Sequence, residues 1–288
     1  MAKALKIDFY KTEDLNGNSL DISHLITQVA ALPFANRRVD LTDSFVFVHN
    51  VRPHGQHTLG EIVKAKMVDL PDKVNRNAGL PEDLGLNADE GIGHRTHFLY
   101  DRGAQVLLLQ RDWDVRSTAF TQSIAHPINE AFNLSLIFKP NALRRLNEIR
   151  EVRRLTFRMA RPGNPEAVGN LDTSTTHAIG ILSDLGGRQL DVSISVGRTR
   201  GGELDRAPAL RFARTLFGRR AQEVEKIVVS GKDEAGASAV IDLIEDRLVY
   251  ETRVDMAGRN LDPRQCERAL LEAHRDHLEY LRHYRQPE

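Results

Sequence analysis

This 288-residue sequence predicts an α+β fold, with mixed or antiparallel sheets, flanking helices and a C-terminal helix. Three observations lead there. Apolar and polar residues alternate with a period of two at Leu5, Ile7 and Phe9, and again at Leu190, Val192, Ile194 and Val196, as half-buried strands do. Ile22, Leu25, Ile26 and Val29 share one helical face, and so do Leu270, Leu271, His274 and Leu278. Strands and helices follow one another irregularly, with no internal repeat, which separates α+β from a doubly wound α/β chain.

The first strand ends at the turn formed by Asn16, Gly17 and Asn18. Ser19 or Asp21 is placed to cap the first helix, and Pro33 stops it. Residues 45–48 form a second strand and 59–68 a third, whose interspersed lysines suit a sheet edge. Residues 69–92 hold six acidic and two basic residues amid frequent Pro, Gly and Asn, and read as an ordered acidic loop of unusual length. Asp101, Arg102, Gly103 and Ala104 join strands 97–100 and 105–110 in a hairpin. A helix at 119–132 is interrupted or begun at Pro127, a strand covers 134–138, and Pro140 opens a helix with Leu143, Leu146 and Ile149 inward.

Leu155, Phe157 and Met159 mark another strand, and 161–175 is the linker candidate. It divides the chain into α+β domains at 1–165 and 166–288, unless the whole is one continuous unit. Beyond it come the strand at 190–196 and a helix at 206–218 that Gly218 ends. Strands follow at 224–230, at 237–244 and through Leu248, Tyr250 and Thr252, and a terminal helix starts at Pro263.

Hydrophobic residues make up 41% and charged residues 28%, enough apolar content for a packed core. Forty basic and forty acidic residues exclude a uniformly basic protein but not a local basic patch. The single cysteine, Cys266, excludes an internal disulfide and a thiolate zinc site, and assigns the chain to a reducing compartment. It reads as an incidental surface or half-buried thiol. With no long apolar run and no signal-peptide pattern at the start, the expected location is the cytoplasm.

No catalytic residue, metal site or cofactor is predicted. Gly91 and Gly93 lack the strand-to-helix setting of a dinucleotide fingerprint. The pairs His54/His57, His94/His97 and His274/His277 each lack the third ligand and carboxylate base of a zinc hydrolase. His274, Arg275 and Asp276 mimic a kinase loop, but Leu281 stands where that loop needs Asn. None of the nine lysines has an acidic residue two positions before it, so the Asp/Glu-x-Lys nuclease motif is absent. A Mg²⁺-dependent nuclease remains an alternative if carboxylates of the acidic loop gather in space, and so does a protein–protein adaptor.

Arginine outnumbers lysine 31 to 9, and arginine makes the bidentate phosphate contacts. Residues 139–161 carry eight basic and two acidic residues; residues 188–220 carry eight and three. In the strand, Arg154, Thr156 and Arg158 share the face opposite Leu155, Phe157 and Met159. Arg198 and Arg200 flank a glycine-rich turn, Arg211 and Arg214 share a helix face, and Arg219 and Arg220 follow near its C-terminus. Phosphate backbones need such spread cationic forks. A solvated face with local carboxylate pairing would leave the same pattern. The candidate DNA-binding residues are Lys139, Arg144, Arg145, Arg153, Arg154, Arg158, Arg198, Arg200, Arg211, Arg214, Arg219 and Arg220. Phe157, Phe212 and Phe217 look like core positions, which disfavours single-strand binding.

Asp89, Glu90, Gly91 and Gly93 followed by Phe98 and Leu99, then Ser117 and Phe120, form one stretch of a family likeness. The strand Leu190 to Ile194 leading into a basic helix, and Lys232 to Gly236 before the C-terminal elements, form two more. In these, and in length and element order, the chain resembles the RexA-like phage exclusion proteins. The resemblance implies an α+β fold, a homodimer, sequence-independent binding of double-stranded DNA, a role in phage exclusion or anti-phage defence, and a membrane-protein partner. It carries over to the basic stretch 197–220; the cluster at 139–161 rests on its own charge pattern.

Overall fold

The computed structural model describes residues 2–75, 77, 79–139, 146–160, 189–197, 202–220, 224–243, 247–258 and 260–284. In chain order the elements are β1 (Ala2–Glu13), α1 (Ser23–Ala31), α2 (Phe34–Arg37), β2 (Val39–Asp40), β3 (Ser44–His54), β4 (His57–Lys66), β5 (Lys73–Val74) and β6 (Pro81–Glu82). Then come β7 (Ile92–Asp101), β8 (Val106–Gln110), α3 (Ser117–Ala125), a short 3₁₀ turn (His126–Ile128), β9 (Asn133–Leu136), β10 (Glu151–Ala160) and β11 (Gln189–Ser195). The remainder is α4 (Arg206–Arg220), β12 (Val224–Lys232), β13 (Ser238–Asp242), β14 (Val249–Ala257), β15 (Asn260–Leu261) and α5 (Pro263–Tyr284). The fold is α+β, with antiparallel sheets and a C-terminal helix.

Two compact units result, and their division is not the one expected at 165/166. One combines Met1–Asn133 with Val249–Glu288; the other is Leu134–Leu248. Strand pairing is the reason. β14 lies antiparallel along β1, from Ala2↔Asp255 to Asp8↔Val249, so the end of the chain returns to complete the first sheet. The linker candidate at 161–175 and the start of the helix expected from Pro140 lie outside the described residues.

In the first unit the sheet order is β15-β14-β1-β8-β7-β4-β3-β2. Helices cover both of its faces. Phe98 meets Phe120 of α3 at 5.1 Å, and the Tyr100 hydroxyl accepts the Ile22 N–H at the start of α1 at 3.1 Å. The alternate residues of β7 face α5, which buries Cys266, Ala269, Leu270, Ala273, His274 and Leu281. Cover on both faces explains why all five residues of β8 are buried. Asp8, itself buried, takes a bidentate pair from Arg111 (Nε to Oδ2 2.8 Å) and fastens β1 to the chain leaving β8.

Three local expectations change. β4 is interior, held between β3 and β7, not at an edge. Its Lys64 and Lys66 are half-buried, and Lys66 Nζ donates to the Asp69 carbonyl at 2.6 Å. Ile22 occupies the cap position of α1; Asp21 accepts the Ser23 N–H at 2.9 Å, and Ser19 has no part in the cap. The helix expected to end at Gly218 runs on to Arg220. No helix among the described residues is long and apolar enough to cross a membrane.

The second unit is a four-stranded antiparallel sheet, β11-β10-β12-β13, with α4 against β10 and β12. Leu155, Phe157, Leu210, Ala213, Ile227, Val229 and Ile241 form its core. Its two ends meet: the Leu248 N–H donates to Ile137 O at 2.7 Å, and Phe138 bridges Arg247. β10 and β12 shift register between Val152 and Arg154, where Gly231 lies against the β10 backbone. A Cβ at Gly231 would sit 1.8 Å from Glu151 O. Gly231→Ala must therefore push β10 aside. The expected cost is about 1–3 kcal/mol of unfolding free energy, read by urea titration.

Candidate functional site

In the second unit, β10 buries Val152, Leu155 and Phe157 and turns Arg154, Thr156 and Arg158 to the other face. The register adds neighbours to that row. Arg154 lies between Ser195 and Ser230, Thr156 between Ser193 and Val228, and Arg158 between Asp191 and Lys226. Thr156 Oγ1 is 3.2 Å from Ser193 Oγ, and Arg158 Nε donates to Asp191 Oδ1 at 2.7 Å. Arg154 and Lys226 are exposed and make no ion pair among the described residues.

The other expected residues do not join this row. Beside the bulge, Arg153 is held by Glu151 (Nη2 to Oε2 3.4 Å), which Lys232 Nζ also approaches at 3.2 Å. Arg211 is exposed on α4, and α4 covers the opposite, apolar face of the sheet. Lys139 is exposed on the segment after β9. Arg144, Arg145, Arg198 and Arg200 lie outside the described residues, as do the side chains of Arg214, Arg219 and Arg220. The acidic loop contains the small β5–β6 ladder with a Lys73–Glu82 ion pair at 3.3 Å, and its carboxylates are exposed.

The first unit holds a polar cluster that the sequence did not disclose. The antiparallel register of β4 and β7 puts His57 opposite Asp101 and Glu61 opposite His97. Four residues apart along a strand, the two pairs share one face about 13 Å apart. On α5, Cys266 and His274 are eight residues apart, which is about 12 Å of helix. The helix therefore sets one polar residue over each pair. His274 Nε2 lies 2.6 Å from Asp101 Oδ2, the rings of His57 and His274 are 4.4 Å apart, and His57 Nδ1 is 3.8 Å from Asp101 Oδ1. A carboxylate only accepts, so the His274 Nε2 proton is the bridging one.

Burial works against the Asp101 carboxylate, but the His274 hydrogen bond and the Ala104 N–H hold its pKa below the usual range. Burial, then the neighbouring His274, holds His57 below its ordinary value. His57 Nδ1 is buried with no hydrogen-bond partner. Beside it opens a depression of about 950 Å³ lined by Ser23, His24, Gln28, His57, Thr58 and Arg102, among others.

In the second pair, Gln110 Oε1 lies 2.9 Å from His97 Nδ1 and Glu61 Oε1 lies 3.3 Å from His97 Nε2. Glu61 also accepts from Asn50 Nδ2 at 3.0 Å and faces Arg95 Nη1 at 3.5 Å. Cys266 is fully buried and contacts His97, so it is not the surface or half-buried thiol expected.

Residues 6–270 match DUF6731, a family of unknown function. The chain belongs to this family. No curated protein matches it at a significant level. Within this DUF6731 member, none of the candidate His pairs forms a cluster by itself: His54 lies opposite His57 in the β3–β4 ladder, while His94 and His97 fall on opposite faces of β7. His57 and His274 come together across the fold, while His54 and His277 take no part in the cluster. His94 lies on the surface instead, 3.2 Å from Asp114 and close to Asp112, whose Oδ1 already accepts the N–H groups of Asp114 and Val115. The signal that could have found the buried cluster is polar residues at i and i+4 on two apolar strands, matched by i and i+8 on an apolar helix face.

His97 and Glu61 make the stability of the first unit depend on pH. Burial opposes the imidazolium, but contacts with Cys266, Glu61 and Gln110 outweigh it and raise His97 to about 10. Burial opposes the Glu61 carboxylate too, and the adjacent His97, followed by Arg95, holds its pKa below the ordinary value. The His97 contribution is complete below its ordinary value of 6.5 and drains away as the pH rises toward 10. The Glu61 contribution is complete above its ordinary value of 4.5 and is lost as the pH falls. His97→Leu leaves the buried Glu61 carboxylate with Asn50 and Arg95 but without its imidazole, and should cost about 3 kcal/mol near pH 6 in urea unfolding, part of it recovered by adding Glu61→Gln. The variant should also lose the wild-type decline in stability between about pH 7 and 10.

Proposed function

We propose that the protein binds double-stranded DNA, without sequence preference, through the outer face of the β11-β10-β12-β13 sheet. The observation that carries this reading is the row Arg154, Thr156 and Arg158, flanked by Ser193, Ser195, Ser230 and Lys226, opposite a face filled with core. Guanidinium, ammonium and hydroxyl groups are the donors that phosphate oxygens take, and contacts to phosphate position a duplex without reading its sequence. Asp191 does not block it. The side chains of Arg158 and Asp191 are 42% and 49% exposed, and exposed pairs contribute at most about 1 kcal/mol. Releasing counterions from a polyanion outweighs that.

The likeness to phage exclusion proteins extends the reading to a homodimer acting in phage exclusion or anti-phage defence, with a membrane-protein partner. The rival Mg²⁺-dependent nuclease finds less support. Among the described residues, neither group of three clustered ligating side chains comes from the loop at 69–92.

Mobility shifts on two unrelated duplexes at two salt concentrations test the proposal. Retention should weaken steeply with salt and alike on both. Arg154→Ala and Lys226→Ala should each reduce the slope of log affinity against log salt by about 1. Asp191→Asn, which removes a negative charge from beside Arg158, should tighten binding. No retention at low salt, or an Asp191→Asn variant that binds more weakly, overturns the reading; nicking of plasmid only with Mg²⁺ would favour the nuclease.

A further inference from the structure

The geometry points to a site for a divalent transition-metal ion formed by His57, Asp101 and His274, open to the depression beside β4. The three residues come from the start of β4, the end of β7 and the middle of α5, and one ligand atom of each lies within 4.8 Å of the others. They are the only group of three buried or half-buried ligating side chains among the described residues.

A buried Asp–His pair that merely pins the helix would need one imidazole. Here a second imidazole stands 4.4 Å from the first, and its inward nitrogen, His57 Nδ1, is buried without a hydrogen-bond partner. Burying an unsatisfied ring nitrogen beside a carboxylate is costly. A cation satisfies it, and at the same time replaces the proton shared by His274 Nε2 and Asp101 Oδ2. The second carboxylate oxygen, Oδ1, accepts the Gly103 and Ala104 N–H groups at 2.8 and 3.2 Å, which fixes the carboxylate plane as the surroundings of metal ligands do.

The donor set names the class of ion. Mg²⁺ and Ca²⁺ take oxygen ligands, whereas two imidazoles and one carboxylate suit Zn²⁺ or Fe²⁺. Three protein ligands leave a coordination position open, as in sites that exchange a water for an outside ligand. His57 is both a ligand and part of the wall of the depression, so that position has a route to solvent.

Chelator-stripped full-length protein, titrated with zinc by calorimetry and with cobalt by visible absorption, tests the site. One equivalent should bind, with cobalt d–d bands and no thiolate charge transfer, since Cys266 belongs to the other cluster. His57→Ala and Asp101→Asn should weaken binding beyond the ~10–100-fold that a residue outside the coordination shell accounts for. Zinc should raise the wild-type melting midpoint and leave that of His57→Ala where it was. His94→Ala, at the surface cluster, should bind as wild type does. His57→Gln, which keeps a polar side chain of similar size, replaces the alanine variant if that fails to fold. No saturable equivalent, or one that survives loss of His57 or disappears with His94, overturns the proposal.

Discussion

The pairing of β1 with β14 is the constraint on which the first unit depends. β1 is flanked by β8 through Phe9↔Leu108 and by β14 through Leu5↔Thr252, so it holds together segments that lie far apart in the chain. With β14 in place, the two-residue β15 and the proline at the start of α5 direct the last helix back over the sheet. That helix then sets Cys266 on His97 and His277 against Phe9 at 5.0 Å.

Helix and strand advance at different rates per residue, and the polar clusters use the ratio. Two turns and a little more of helix cover the same length as four residues of strand. Cys266 and His274 therefore stand over Glu61 with His97 and over His57 with Asp101, and the apolar residues between them fill the gap. A helix shifted by one turn would bring leucine against buried carboxylates and leave imidazoles among leucines. Buried polar pairs add little net stability over well-packed apolar ones, but they penalise such a slip severely. At this interface they fix the docking position of α5.

Sequence patterns with a short range were legible. The hairpin around residues 101–104, the apolar face of α1, the alternation in β10 and the start of α5 at Pro263 all rest on neighbours within a few residues. The exposed row on β10 was legible for the same reason. What depended on pairing across the chain was not. Lys64 and Lys66 suggested an edge, because nothing local records that β7 takes up the free side of β4 after a long excursion. The division at 165/166 failed because the partner of β1 lies some 240 residues onward. The histidine pairs misled in the same way: their true neighbours are a strand partner and a helix residue 173 positions from Asp101.

The ends of the second unit lie side by side, joined by the Leu248–Ile137 hydrogen bond, so the polypeptide leaves the first sheet and comes back through one doorway. During translation this sets an order of events. At roughly 5–20 residues per second, β14 leaves the ribosome about 10–50 s after β1. Throughout that interval the nascent protein carries residues 2–8 as an unpaired strand margin and lacks the helix that shields one side of the sheet. Within that window a chaperone, or a neighbouring chain on the same polysome, has its best access to the unfinished sheet.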